Sequence, residues 1–367
     1  MLDMARSEPS IPILPDQMDH DPWLLNCPNG TLEVRTGMLR EHRRGDYLTK
    51  LCPTPYHKEA TCPVFMKFLK TIFGGNAELI VFTQRVFGRC LSGDVSEQIL
   101  PILWGVGANG KSTLVNAMME VMGQDYAMKA NADLLMVSRS ERHPTEIAQL
   151  FGKRLVIASE SAEGRRLNES LIKDLTGGER MRGRRMHEDF WEFDPTHKVF
   201  LITNYKPEVR GTDDGVWRRI RLIPFTQRFW DPNEPSCPDS VPPEAIADKT
   251  LPDKLRQEYP GILAWLLRGC LDWQRDGLTL PEAVQIATAE YRSSQDIIAH
   301  WLDEHCLIGP DYSCRAAALF THYCDWCSAT NERPMSQRVF GEALTKRGFG
   351  QRLSDGVWRT GLTLRGA

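Results

Sequence analysis

No apolar run in this 367-residue chain reaches the ~18 residues that a membrane-spanning helix needs, which excludes a helical transmembrane protein. The opening MLDMARSEPSIPILPD lacks the apolar core of an export signal. Basic excess is also lacking. Forty-five Lys and Arg against 48 Asp and Glu leave a net charge of −3, which excludes a globally basic nucleic-acid coat but not a local basic groove. Cysteine is sparse and scattered, with 10 in the whole chain, far below a disulfide scaffold. The one close pair, Cys324-Asp-Trp-Cys327, has no second Cys/His pair at zinc-finger spacing. With Leu319, Tyr323 and Trp326 around it at helical spacing, it reads as thiols on an aromatic helix, and a reducing cytosol fits. There is no internal repeat and no low-complexity tract. Charged residues at 25% and hydrophobic ones at 41% are ordinary globular usage, and the length allows two or three domains.

Along the chain, residues 1–20 carry three prolines and little periodicity, which predicts an extended arm. Residues 21–96 predict a small β-plus-helical region. Leu24-Leu25-Asn26 and Thr31-Leu32-Glu33-Val34 flank Pro28-Asn29-Gly30, a hairpin signal. Phe65, Phe68, Leu69, Ile72 and Phe73, then Leu79, Phe82, Val86 and Phe87, recur at helical spacing, with a break at Gly74-Gly75-Asn76. Residues 97–230 alternate β and α. Buried strands are expected at Ile99–Trp104, Leu155–Ala158, Val199–Ile202 and Ile220–Ile223, with a helix from about Lys111 to Met122. Short apolar runs spaced by helices indicate a sheet covered on both faces. A proline- and acid-rich loop at 230–243 opens a helical segment, 231–310. The tail, 311–367, reads as three helices followed by a two-strand wing from Gly350 to Leu364, a winged-helix pattern.

The chemistry is carried by Gly105-Val106-Gly107-Ala108-Asn109-Gly110-Lys111-Ser112, with Thr113 next, a complete phosphate-loop pattern between a strand and a helix. Glycines let backbone N–H groups approach phosphate oxygens, and the helix N-terminus adds partial positive charge. Lys111 is placed for the β- and γ-phosphates and Ser112 for Mg²⁺. Such a site also needs a carboxylate at the end of a buried strand beside the loop, and Glu160, the first acid after Leu155-Val156-Ile157-Ala158-Ser159, supplies it. Glu163 reads as an exposed loop acid. Asn204, ending the Phe200-Leu201-Ile202-Thr203 strand, is a candidate for contacting a γ-phosphate or orienting water. Arg218 and Arg219 are either a solvated edge or an arginine finger for a neighbouring subunit.

These motifs, together with Leu175-Thr176-Gly177-Gly178-Glu179 and Trp217-Arg218-Arg219, resemble the superfamily 3 helicases. More narrowly, with Asn29-Gly30-Thr31-Leu32 and Asn204-Tyr205-Lys206-Pro207, they look like the helicase half of phage and plasmid replication primases, related to poxvirus-type primase-helicases. The resemblance runs from about Pro22 to Arg365. It implies an AAA+-like P-loop ATPase core hydrolysing ATP with Mg²⁺, and a ring, usually hexameric, around single-stranded or forked DNA in the cytoplasm of a bacterial or phage-infected cell. Lys111, Ser112, Glu160 and Asn204 would act from one subunit, with Lys173 and Arg218 or Arg219 from its neighbour. The family's central-channel hairpin falls between Glu179 and Phe193, where Arg182, Arg184, Arg185 and His187 would grip DNA. Residues 165–187 hold seven Arg and Lys against three acids, which suits a phosphate backbone. Family members commonly carry a primase ahead of the helicase. This chain opens almost at the helicase-linked region, so priming is not expected of it, and a separate primase or polymerase is the expected partner.

The leading reading is an ATP-driven DNA helicase of phage or plasmid replication. The alternative is an ATP-dependent DNA-binding initiator or loading scaffold with little unwinding. A small-molecule P-loop kinase has the basic hairpin and the tail pattern against it.

Overall fold

A computed structural model of the chain describes residues 13, 17–138, 144–160, 162–209, 214–235, 237–330 and 332–366. The expected arm at 1–20 lies almost wholly outside them. The chain forms two compact units, residues 1–291 and 292–367.

The first unit opens with a three-stranded antiparallel sheet, β1 (Leu24–Cys27), β2 (Gly30–Glu33) and β3 (Met38–Arg40). Its first turn is the expected Asn29-Gly30 hairpin, with Cys27 opposite Gly30. Two helices follow, Pro63–Ile72 and Ala77–Gly88. The second is capped by the Asn76 side chain, which accepts from Leu79 N at 3.0 Å.

The central sheet holds β4 (Leu100–Trp104), β5 (Ala127–Asn131), β6 (Leu155–Glu160), β9 (Lys198–Thr203) and β10 (Ile220–Pro224) in the order β10-β4-β9-β6-β5, all parallel. Alternate residues of each inner strand feed opposite cores. Val199 and Leu201 of β9 join Val156, Ile172 and Trp217 on one face; Phe200 joins Leu155, Met118 and Leu266 on the other. Burial on both faces is why these strands read as unbroken apolar runs. The helix Lys111–Tyr126 follows β4; Gly123 (φ 76°) interrupts it, so regular helix ends near the expected Met122. A two-stranded hairpin, β7 (Met181–Gly183) and β8 (Trp191–Phe193), stands apart from the sheet. Helices Leu251–Gln257, Tyr259–Asp276 and Glu282–Ser294 follow the acidic loop.

The second unit begins at Arg292, and the expected boundary at residue 311 falls inside a strand, β11 (Cys306–Arg315). Its elements run helix Ile297–His305, β11, helix Ala316–Ala329, helix Gln337–Lys346, β12 (Gly350–Leu353) and β13 (Val357–Leu364). The sheet order is β11-β13-β12. Two helices, not three, therefore precede the last hairpin within 313–367. The third lies earlier, ahead of β11. Trp301, Tyr323, Phe340 and Leu362 form this unit's own core.

Candidate functional site

Parallel strands bring their C-terminal ends to one edge, and open α/β sheets bind ligands there. The register fixes who meets whom. Trp104, the last residue of β4, pairs with Thr203, and Thr203 pairs with Glu160, the last residue of β6. The loop after Trp104, Asn204 after Thr203, and Glu160 thus share one edge. Glu160 was expected on the strand next to the loop. Instead β9 lies between them and carries Asn204 into the gap.

The loop's path is set by backbone conformation. Gly105 has φ 158°, and a Cβ there would fall 2.2 Å from the Phe225 carbonyl, so a side chain cannot be housed. Gly110 is left-handed at φ 85°, as is Ala108 at φ 57°, a costly choice for a residue with a Cβ. Asn109 is buried. Its amide donates to Val106 O at 2.5 Å and to Phe225 O at 3.5 Å, closing the loop on itself. Val106 and Gly107 are exposed, Ser112 is exposed in the first helical turn, and Thr113 is half-buried.

Lys111 is 4% exposed. Its ammonium donates to Gly105 O and, at 3.2 Å, to Asn204 Oδ1. Among the described residues no carboxylate neutralises it, and burial pulls it from the usual lysine value of 10.5 to about 8. Glu160 is buried. One carboxylate oxygen accepts from Ala162 N at 2.8 Å; the other, Oε2, accepts no hydrogen bond among the described residues and faces the Arg165 guanidinium at 3.5 Å. Arg165 also donates to Asp133, a carboxylate whose hydrogen bond raises the guanidinium's affinity for its proton. A buried carboxylate oxygen without a donor is costly unless a cation completes it. The donor set, an orphaned carboxylate oxygen and a serine hydroxyl on a loop that backbone N–H groups line, suits hard magnesium coordinated by oxygen.

The two arginines part company. Arg219 is buried, and its guanidinium donates to Thr176 Oγ1 (2.9 Å), Gly215 O (2.6 Å) and Gln98 Oε1 (3.0 Å). That corrects its reading as a finger, because it is consumed inside its own subunit. Arg218 is exposed. Ile220 pairs with Leu100, the first residue of β4, so Arg218 lies at the opposite end of the sheet from the loop, ~16 Å of strand away. Lys173 is half-buried in mid-helix on Glu169–Gly177.

The basic segment between Glu179 and Phe193 is a hairpin, with Arg182 opposite Glu192 and an exposed tip around His187 (φ 63°). Arg182 and Arg184 lie over the Phe190 ring at 4.5 and 4.8 Å, and Arg185 lies 6.0 Å from the Trp191 ring centroid. These stacks hold the guanidinium planes out from the strand. Sequence reasoning missed Phe190, Trp191, Arg165 and Asp133. The alternation of aromatic and basic residues was a usable signal for the first two; none existed for the others.

The family described as "D5 N terminal like" matches residues 1–74, and a family of unknown function, DUF5906, matches residues 103–219. L207/L206 of Acanthamoeba polyphaga mimivirus, named as a candidate helicase, is 27% identical over 298 residues, covering 78% of this chain and 31% of its own. C962R of African swine fever virus, named as a candidate primase, is 24% identical over 333 residues, covering 85% and 34%. The chain thus spans about a third of the length of these relatives. Among solved structures, the C-terminal region of NrS-1 (305–718) aligns with 85% of this chain and 78% of its own, at 12% identity and a TM-score of 0.47. By its matched segments and named relatives, the chain is similar to the primase-helicases of large DNA viruses.

Proposed function

We propose that this chain is an ATP-dependent DNA helicase of the superfamily 3 type, working as a ring on single-stranded or forked DNA during replication. The observation that carries the reading is the convergence of Lys111, Asn204 and Glu160 on one sheet edge around a complete phosphate-loop sequence. The named relatives support the nucleic-acid part of it.

In this reading the loop's N–H groups bind the β- and γ-phosphates, and the Lys111 ammonium turns from Gly105 O and Asn204 to the triphosphate. Asn204, released, orients the attacking water. Magnesium, held by Ser112 and Glu160, would supply the charge that draws electrons from the bond being cut. Arg165 keeps Glu160 Oε2 company until that charge arrives. Arg218 is too far from its own loop to act there, which favours action on a neighbour's nucleotide. The Arg-rich hairpin is the DNA grip, and the second unit's helix-strand-helix-helix-hairpin order is that of a winged helix, a DNA-reading module.

The test is ATP hydrolysis and strand displacement by the full chain on a forked duplex. DNA-stimulated hydrolysis with displacement is expected, and both should vanish in Lys111→Ala. Hydrolysis with assembly on DNA but no displacement would replace this reading with that of an initiator or loading scaffold.

A further inference from the structure

A cavity of about 620 Å³ opens beside the glycine-rich loop. Its floor is the loop and the first turn of the next helix, through Ala108, Gly110 and Thr113. One wall is the helix Pro63–Ile72, presenting Phe68, whose ring lies so close to Gly110 that an added Cβ would come within 3.2 Å. The opposite wall is the segment after β10, with Phe229, Ile246 and Leu251. That wall is fastened to the floor, since Phe229 N donates to Ala108 O at 2.7 Å. It is also braced within itself, Trp230 N to Ala245 O at 2.8 Å and Ala247 N to Trp230 O at 2.9 Å. The acid- and proline-rich stretch that sequence shows only as a loop is therefore one side of a built cavity.

We propose that this cavity takes the base and ribose of the triphosphate bound on the loop, and that it favours a purine carrying an exocyclic amino group. The proposal rests on the phosphate-site reading above and deepens it. Its volume lies within the ~300–1,000 Å³ of small-molecule sites. Phosphates held by the loop leave the nucleoside to run past the first helical turn, where Thr113 lines the cavity. The apolar walls from Phe68, Phe229, Ile246 and Leu251 suit a flat ring. On the rim, carboxylates outnumber ammonium groups, with Asp231, Glu234, Glu244 and Asp248 against Lys67 and Lys254. Lys254 is in turn held by Asp248 at 2.6 Å. Ionised carboxylates only accept hydrogen bonds, so they reward an amino edge and repel a carbonyl edge.

The experiment is equilibrium binding, with magnesium, of ATP, inosine triphosphate and inorganic tripolyphosphate to the full chain, to Ala247→Trp and to Lys111→Ala. The wild type should bind ATP at least ~10-fold more tightly than either competitor, a ratio worth about 1.4 kcal/mol. Ala247→Trp, which fills the cavity, should bring ATP down to the affinity of tripolyphosphate and leave tripolyphosphate itself unmoved. Lys111→Ala should weaken all three. Equal wild-type affinity for ATP and tripolyphosphate overturns the base pocket while the phosphate site stands, and this comparison needs no variant. Equal affinity for ATP and inosine triphosphate overturns the amino preference. ATP binding by Ala247→Trp at wild-type strength places the base elsewhere. If the wild type binds none of the three, the phosphate site falls, and the pocket with it.

Discussion

Lys111 Nζ and Asn204 Oδ1 meet at 3.2 Å across 93 residues of sequence. The contact joins the loop after β4 to the tip of β9, and it gives the buried ammonium a neutral partner in place of a salt bridge. A carboxylate there would compete with an incoming anion. An amide oxygen holds the ammonium in place and yields it at small cost.

The first expectation concerns protons. Lys111 in the free chain loses its proton near pH 8, while the unfolded chain keeps it up to about 10.5. The unfolded state therefore binds more protons between those values. The cost of burying the charge is full below pH 8 and fades as pH rises toward 10.5, so this residue's contribution makes stability climb over that window. Bound triphosphate favours the charged form. At pH 8.5, ATP binding should take up roughly 0.7 proton, read by calorimetry in two buffers of different ionisation enthalpy. Lys111→Arg, charged throughout, should take up none. Zero uptake by the wild type would sink this account.

Glu160 separates affinity from turnover. Glu160→Gln preserves shape and the bond from Ala162 N but removes the charge facing Arg165. ATP should bind with little change while hydrolysis falls at least ~10²-fold, the scale of one preorganised charged group. Normal turnover in this variant would move the carboxylate role to another acid, Glu163 first.

The arginine pair should split cleanly. Arg219→Ala breaks three donated bonds in a buried setting and leaves Thr176, Gly215 and Gln98 without their donor. A loss of ~3 kcal/mol in chemical unfolding is expected. Arg218→Ala should leave stability alone and abolish hydrolysis. Mixing it with Lys111→Ala should restore part of the rate, because some interfaces then pair an intact loop with an intact Arg218. Rings shown to be mixed yet wholly inactive would exclude action between subunits.

The hairpin is tested by salt. Replacing Arg184 and Arg185 by Ala leaves the sheet edge untouched, so basal hydrolysis should hold. DNA stimulation should collapse, and the log–log salt slope of single-strand binding should flatten by ~0.7 for each phosphate the hairpin no longer neutralises. An unchanged slope would mark the hairpin as ordinary solvated surface.

What the sequence disclosed depended on burial and on local range. β4, β6, β9 and β10 are covered on both faces and stood out as apolar runs. β5 escaped notice because Ala127-Met128-Lys129-Ala130-Asn131 is an edge strand with Lys129 exposed and Asn131 exposed. β11 was hidden by Gly309-Pro310, a turn signal inside a strand whose register shifts between Ile308 and Ser313. Lys111, Glu160 and Asn204 were each visible from a motif or a strand end. That Arg165 would link Glu160 to Asp133 was not, since 32 residues and no periodicity separate Arg165 from Asp133. Nor could two adjacent arginines reveal which one turns inward.

β10 has a further consequence. Immediately before it, past Arg219, stands exposed Arg218; immediately after it stands Phe225, whose N–H donates to Trp104 O at 2.7 Å and whose carbonyl abuts Gly105 and Asn109. Little more than the extended backbone of β10, bonded along its length to β4, separates the loop from the arginine. Such a strand neither bends nor stretches much, so it behaves as a push rod. A shift of the loop on loading or emptying has no slack in which to be lost before it reaches Arg218. If that arginine serves the next subunit, timing passes round the ring in one direction, each loop setting the stroke of its neighbour.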